Sequence, residues 1–393
     1  MNKLVIKSVY VVYTLVILNV VLTHNIGFSN LYYFFAGILI AVYFLFFIDK
    51  VRFQNKSILY LILFYCYFTI MYVLSVTLGA DFIIASERYL SLIWPSLFFL
   101  LLPIVFQKDE IDKFIKFQIY AAFFIAILGI IQIVFSRDLF GFIPRVQSDE
   151  LYENILLDYR VTSILYSPQV YGLFLGLSSV LILEHKNKFT NIIFTILLIV
   201  ILLGAVISGN KMVIAILIVY IIYKFLVRDF AKTIKYSLTV VFILILTYYN
   251  IDVNNAAFSS LNRSFDFLLN PDQVLNTEQA GRFTIYSNVI STTNPVIGNL
   301  VGSTNSSASN YINTESYFLS IYSEGGLILL SIFLMFIYNS IRYLANFGKS
   351  NLPLVICIAF SMIFVHAFES PIFIGMWGIW ILNLKRNYNE SSD

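Results

Sequence analysis

Long apolar runs set the terms on which this chain can fold. A bilayer core takes roughly 20 mainly apolar residues per helix. Twelve stretches approach that length: 4–23, 31–48, 58–79, 90–106, 114–135, 164–183, 190–207, 211–227, 234–250, 317–340, 352–367 and 370–384. The last two are joined by a very short turn and read as two spans or as one re-entrant hairpin. The expectation is an all-α, polytopic integral membrane protein of about 12 transmembrane helices, with residues 1–393 forming a single transmembrane domain. Composition agrees. Only 12% of residues are charged and 59% are hydrophobic, against about 25% charged in soluble domains. That excludes a soluble enzyme, a disordered chain and a nucleic-acid binder. The N-terminal run lacks a small-x-small cleavage site and reads as an uncleaved first helix.

The cations fix an orientation. In the twelve-span arrangement one side collects Lys3, Lys7, Lys50, Arg52, Lys56, Lys108, Lys113, Lys116, Lys186, Lys188, Lys224, Arg228, Lys232, Lys235, Arg342, Lys349, Lys385 and Arg386. The other side holds Arg88, Arg137, Arg145, Arg160, Lys211, Arg263 and Arg282. By the positive-inside rule the richer side is the cytoplasm, and both termini lie there. The poorer side is nearly all arginine, whose rigid fork matches phosphate oxygens bidentately. These arginines read either as anion contacts or as partners of nearby loop acids such as Asp138, Asp158, Asp266 and Glu278.

The outer face also has the long connections, 136–163 and 251–316, and loops of that length are usually functional. In the second, Phe258, Leu261, Phe265 and Leu268 recur at helical spacing up to Pro271. Phe283, Tyr286, Val289 and Ile290 do so up to Asn294-Pro295. Two amphipathic helices over the membrane mouth are predicted. A Gly/Ser/Asn stretch follows, suited to a turn or lid.

No nucleotide or metal signature occurs, and His24, His185 and His366 are scattered, so no cofactor is implied. Cys66 and Cys357 sit in apolar runs and read as small hydrophobes. His366, near Glu369, reads first as a helix-end residue and second as catalytic. Four segments carry the chemical possibilities. In the first, Arg160 ends the outer loop before a helix with Pro168, Tyr171, Gly172 and Gly176, where Pro168 would kink the helix and the glycines would admit a close neighbour. The second, Ser208-Gly209-Asn210-Lys211, is a tight turn whose lysine opens a helix, and reads as an anion site or a plain turn. The third is Gly281-Arg282 followed by Asn294-Pro295-Val-Ile-Gly298. The fourth holds Glu315, Tyr317, Tyr322 and Glu324-Gly325-Gly326. A carboxylate inside a span is costly and is a functional candidate by default. Glu324 reads equally as a packing partner of an arginine.

In this order, these segments resemble the Wzy-type O-antigen and capsular polysaccharide polymerases of the O-antigen polymerase/ligase superfamily. The motif match covers about 160–330. The ligases of that superfamily place a histidine in the late outer loop, whereas here Asn313-Thr314-Glu315-Ser316 stands there, which favours a polymerase. The resemblance implies a metal-independent glycosyltransferase in a bacterial cytoplasmic membrane. It would move a growing glycan from undecaprenyl pyrophosphate onto an incoming lipid-linked repeat unit at the outer face. Arg160, Arg282, Lys211 and Arg88 would stabilise the diphosphate, although Arg88 also reads as a helix cap. Glu315, or else Glu324, would serve the acceptor hydroxyl, and Tyr171 and Tyr317 would stack on sugars. The implied partners are the lipid-linked oligosaccharide, the bilayer and a chain-length regulator protein, with no nucleic acid. A lipid-linked glycan ligase of the same superfamily is the alternative within this chemistry, and a flippase or transporter of lipid-linked sugars is the competing class, which would have charges or broken helices in the middle of spans.

Overall fold

The computed structural model describes residues 2–26, 56–105, 108–134, 163–165, 167–227, 280–304, 312, 314, 316–347 and 351–386. The expected spans 31–48 and 234–250, the amphipathic segment 258–268, most of the loop 136–163, and Arg160 and Glu315 lie outside these residues. Regular structure among the described residues is helical. Three helical segments are long and apolar enough to cross a membrane: Lys56–Thr77, Asp109–Gln132 and Tyr317–Asn346. Shorter apolar helices accompany them, at Ile6–Asn19, Pro168–Glu184, Asn191–Ile207 and Leu352–Phe364.

The chain divides into two compact units, one of Met1–Tyr13, Tyr32–Lys113 and Leu275–Asp393, the other of Thr14–Leu31 and Phe114–Val274. Helix α1 (Asn2–Ile26) runs through parts of both, as does α4 (Lys108–Val134).

The first unit contains α2 (Lys56–Thr77), α3 (Phe82–Val105), α8 (Ala280–Thr292), α9 (Tyr317–Phe347), α10 (Leu352–Phe364) and α11 (Ile374–Arg386). Helix α2 shows the membrane logic in miniature. Leu61, Phe64, Tyr65, Phe68, Met71 and Ser75 are buried along one stripe at helical spacing. Its opposite face, with Leu59, Leu63, Ile70 and Val73, is exposed yet equally apolar. A water-facing helix would carry polar residues there. Helix α2 packs along α9, and α11 packs along α3. Aromatic rings fill the seams: Phe64 lies 5.3 Å from Phe333, and Trp380 stacks 5.2 Å from both Phe336 and Trp377. Asp81 starts α3 by accepting from the Ile83 and Ile84 amides at 2.9 and 3.1 Å, the usual device for free N–H groups at a helix start.

The apolar stretches 352–367 and 370–384 fold differently from two plain spans. Helices α10 and α11 have 13 residues each and are separated by two 3₁₀ turns, Ala367–Glu369 and Pro371–Phe373. At 1.5 Å per residue each covers about 20 Å, short of a hydrocarbon core of about 30 Å. Pro371 and the neighbouring Glu369-Ser370 interrupt the helical hydrogen bonding between them.

The second unit is centred on α5 (Pro168–Glu184), flanked by α6 (Asn191–Ile207) and α7 (Lys211–Val227). Residues 171–182 of α5 are all buried, as befits a helix that is apolar all round. Ser178 and Ser179 satisfy their hydroxyls on the Phe174 and Leu175 carbonyls at 2.8 and 2.9 Å. The sequence reading of Pro168 as a kink is corrected here. Helix α5 begins at Pro168, whose missing N–H costs nothing in the first turn, and Ser167 caps it by accepting from the Gln169 amide at 3.2 Å.

Candidate functional site

Two of the sequence motifs meet in the first unit. Helix α9 breaks at Gly326, which has φ 63° and ψ −164°. The break frees backbone groups inside a candidate span, and they need partners. The Asn294–Gly298 turn supplies them. Asn294 Oδ1 accepts from the Val296 amide at 3.0 Å, closing a side-chain turn, and the Gly298 amide donates to the Asn294 carbonyl at 2.9 Å. The Leu327 amide then donates to the Pro295 carbonyl at 2.8 Å, and the Asn299 amide to the Ser323 carbonyl at 2.6 Å. This approach requires glycine on both sides. A Cβ on Gly298, at φ +73°, would stand 2.5 Å from the Gly325 nitrogen. One on Gly326 would stand 2.2 Å from the Val296 carbonyl oxygen.

Glu324 immediately precedes the break and is fully buried. Its carboxylate accepts from Arg88 Nε at 2.7 and 2.8 Å, from Thr304 Oγ1 at 2.7 Å and from the Gly302 amide at 3.3 Å. Arg88, from the second turn of α3, also contacts Glu369 and Ser320. Ser320 Oγ lies 3.4 Å from Glu369 Oε1, and His366 Nε2 lies 3.1 Å from the same oxygen. The result is a buried chain of groups, Glu324–Arg88–Glu369–His366, gathered from α3, α9 and the unwound segment after α10. One guanidinium faces two carboxylates. Such a cluster is favourable only when nearly every lone pair is occupied, and for Glu324 that condition is met.

Beside this cluster lies a cavity of about 1040 Å³. Met71 and Leu74 of α2, Leu78 just after it, Ile84 of α3, Ile285 and Val289 of α8, and residues 297–303 line it. Gly302, whose amide holds Glu324, forms part of its wall. Asp81 is the charged side chain among the described lining residues, with Asn288, Thr292, Asn299 and Ser303 as polar neighbours. The Ser303 hydroxyl is buried without a hydrogen-bond partner among the described residues. Among the described lining residues the apolar side chains outnumber the polar ones.

In the second unit, the Ser208–Lys211 turn packs directly on Gly172. A Cβ there would stand 2.3 Å from Ser208 Oγ and 2.7 Å from Asn210 Cβ. Asn210 donates to the Gln169 carbonyl at 3.0 Å and accepts from the Met212 amide at 3.0 Å, so it already caps the helix that Lys211 opens. Ser163, three residues after Arg160, holds φ at 51°. This is uncommon for a non-glycine residue. It is held there by a 2.8 Å bond from its amide to Gln132 Oε1 and another 2.8 Å bond from its hydroxyl to the Ile125 carbonyl.

The site residues read from the sequence are therefore distributed as follows. Arg88 and Glu324 are joined to one another. Tyr317 is buried, with its ring 5.7 Å from Phe333 and 6.3 Å from Phe368. Tyr171 is fully buried in α5, and its hydroxyl makes no hydrogen bond among the described residues. Lys211 is the first residue of α7, and Arg282 lies in the first turn of α8. Among the described residues, no group of three or more His, Cys, Asp or Glu is placed to hold a metal ion. Sequence reasoning missed Glu369 as the second partner of Arg88, and missed Thr304 and Gly302. The available signal was the pairing of an acid with His366 at a predicted helix end. Comparison with models of known protein families finds none that matches the chain, and no curated protein matches it.

Proposed function

We propose that this protein is a polymerase of undecaprenyl-pyrophosphate-linked oligosaccharide repeat units, acting at the outer face of a bacterial cytoplasmic membrane. In this reading the chain makes about 12 spans with both termini in the cytoplasm. A growing glycan leaves its diphosphate carrier and joins the incoming lipid-linked unit. The observation that carries the reading is the docking of the Asn294–Gly298 turn onto the Glu324-Gly325-Gly326 break, 2.8 Å between the Leu327 nitrogen and the Pro295 oxygen. Both motifs belong to the resemblance, they lie on separate segments of the chain, and an ion cluster and a large cavity adjoin their junction.

The chemistry asks for charge stabilisation of a leaving diphosphate and for positioning of a sugar hydroxyl. Arg88 is committed to two carboxylates, so the diphosphate falls to Arg160, Arg282 and Lys211. Glu324 is engaged by Arg88, Thr304 and Gly302, and its role is to hold the break and the cavity wall in place. A chain-length regulator would complete the system in the cell.

A second reading, a flippase or transporter for lipid-linked sugar, is favoured by the broken helix and buried charges within a candidate span. Deletion and complementation with glycan sizing separates the two. A polymerase yields single repeat units on the outer face when deleted and a ladder when restored. Accumulation of repeat units on the cytoplasmic face on deletion overturns the polymerase in favour of the flippase. Arg160→Ala and Arg282→Ala each abolish the ladder, and normal ladders from both would refute the diphosphate assignment.

A further inference from the structure

The cavity of the first unit has walls that select the chemistry of its occupant. Resting on the polymerase reading, we propose that it seats the isoprenoid chain of the lipid-linked substrate, which enters sideways from the bilayer along α2 with its phosphate end toward the start of α8.

Four observations carry this. The first is access. Ile70, Leu74 and Leu78 follow at intervals of four residues and are 56%, 46% and 71% exposed, one stripe on the apolar outer face of α2. The Leu78 amide donates to the Leu74 carbonyl at 2.9 Å, so the stripe continues past the helix end. Leu74 and Leu78 are also cavity wall, and so are the buried Met71 and Ser75 beside them. The cavity therefore opens on the surface that faces lipid, and a chain reaches it without crossing water.

The second is the wall itself. Ile84, Ile285, Val289, Ile297, Leu300 and Val301 line it, and its volume of about 1040 Å³ stands at the top of the range for small-molecule sites, about 300–1,000 Å³. Water needs several polar partners to occupy such a space, whereas an apolar chain covers these side chains. The third is that the wall is built in advance. The Val301 amide donates to Ser75 Oγ at 2.7 Å and the Gly302 amide to Glu324 at 3.3 Å. Gly302, at φ +98°, lies so close to α3 that a Cβ would stand 3.2 Å from Ile84 Cγ2. These contacts tie the loop to α2, α3 and α9, so binding orders little that is not already ordered.

The fourth is polarity at one end. Ile285, Val289 and Thr292 share one stripe of α8, and helical spacing puts position 282 on it, three residues before Ile285. Arg282 occupies that position and is a cation the polymerase reading gives to the diphosphate. The Ser303 hydroxyl, in the wall and buried without a partner, gains one from an oxygen at the head of the chain, which a bare hydrocarbon lacks.

The test uses the full-length protein in phosphatidylcholine nanodiscs, photolysed with a polyprenyl phosphate that carries a benzophenone on its chain. Adducts are expected within 71–84, 285–292 and 297–303, and excess undecaprenyl phosphate should remove them. Adducts spread along the exposed face of α2 as far as Leu59 and Leu63, and indifferent to undecaprenyl phosphate, would be general bilayer contact and overturn the proposal. Leu74→Trp and Ile297→Trp narrow the mouth. Each should weaken competition by undecaprenyl phosphate by about tenfold or more, the scale of roughly two methylene groups left unburied, and raise KM for the lipid-linked unit by a similar factor. Leu63→Trp, on the same face about 16 Å away, should change neither. Wild-type competition and KM in both mouth variants overturn the proposal while the polymerase reading stands. Competed adducts in the cavity of a protein that builds no glycan ladder would instead sink the polymerase reading and leave a site for polyprenyl phosphate.

Discussion

The Arg88–Glu324 contact offers the sharpest energetic test of the fold. Arg88→Met removes the cation between two carboxylates while keeping most of the side-chain volume. Glu324 is fully buried and Arg88 is 4% exposed, with Nε 2.7 Å from the carboxylate. Water therefore cannot replace the lost partner. Removing one member of such a pair typically costs about 3–5 kcal/mol, and two stranded carboxylates place this variant at the upper end. Glu324→Gln is milder. Arg88 keeps Glu369, and the amide can still accept from Thr304 and Gly302, so a loss of about 1–3 kcal/mol is expected. The double variant should cost less than the two singles together, with a coupling of about 2 kcal/mol, within the range found for contacting residues. Reversible unfolding in mixed micelles measures all four proteins. A loss below about 1 kcal/mol for Arg88→Met, or additivity within about 0.5 kcal/mol, would refute the buried network.

Three further outcomes follow from the backbone contacts. Gly298→Ala combines a left-handed φ of +73° with a Cβ 2.5 Å from the Gly325 nitrogen. It should lose about 2–4 kcal/mol in the same assay, and faster amide exchange at Leu327 should report the parted turn. Gly172→Ala forces its Cβ to within 2.3 Å of Ser208 Oγ, for about 1–3 kcal/mol. Ser208→Ala should recover part of that loss, and no recovery would place the clash elsewhere. Pro168→Ala should change stability by less than about 1 kcal/mol because the ring sits at the helix start, whereas Ser167→Ala loses about 1 kcal/mol of capping.

The legible parts of this protein were those encoded locally. Apolar runs located α2, α5, α6 and α7 to within four residues at each end, whereas α4 starts six residues before its expected span and α9 ends seven residues after its own. The spacing of Phe283, Tyr286, Val289 and Ile290 located α8, and Asn294-Pro295 marked its end. Glycine and proline motifs marked the turn at Gly298 and the break at Gly326. That turn and break meet each other, which no periodicity could reveal, because periodicity assigns a face and not the neighbour packed against it. The same limit applies to charge. An arginine partner for Glu324 was among the readings, yet Arg88 lies 236 positions away. Glu369 lies in the short turn that hydropathy placed between 352–367 and 370–384, but its contact with Arg88 depends on how the two 3₁₀ turns there present it. Pro168 shows the converse error. A proline in an apolar run reads as a kink until the helix start is known to coincide with it.

The proposed activity is the joining of lipid-linked repeat units. The direct measurement is reconstitution of the purified protein in liposomes with defined undecaprenyl-pyrophosphate-linked repeat units, following glycan length and released undecaprenyl pyrophosphate together. The account predicts a ladder in which each added unit releases one equivalent of undecaprenyl pyrophosphate, with no added metal or nucleotide. Transfer of intact lipid-linked units across the bilayer, with no lengthening and no release, would contradict it.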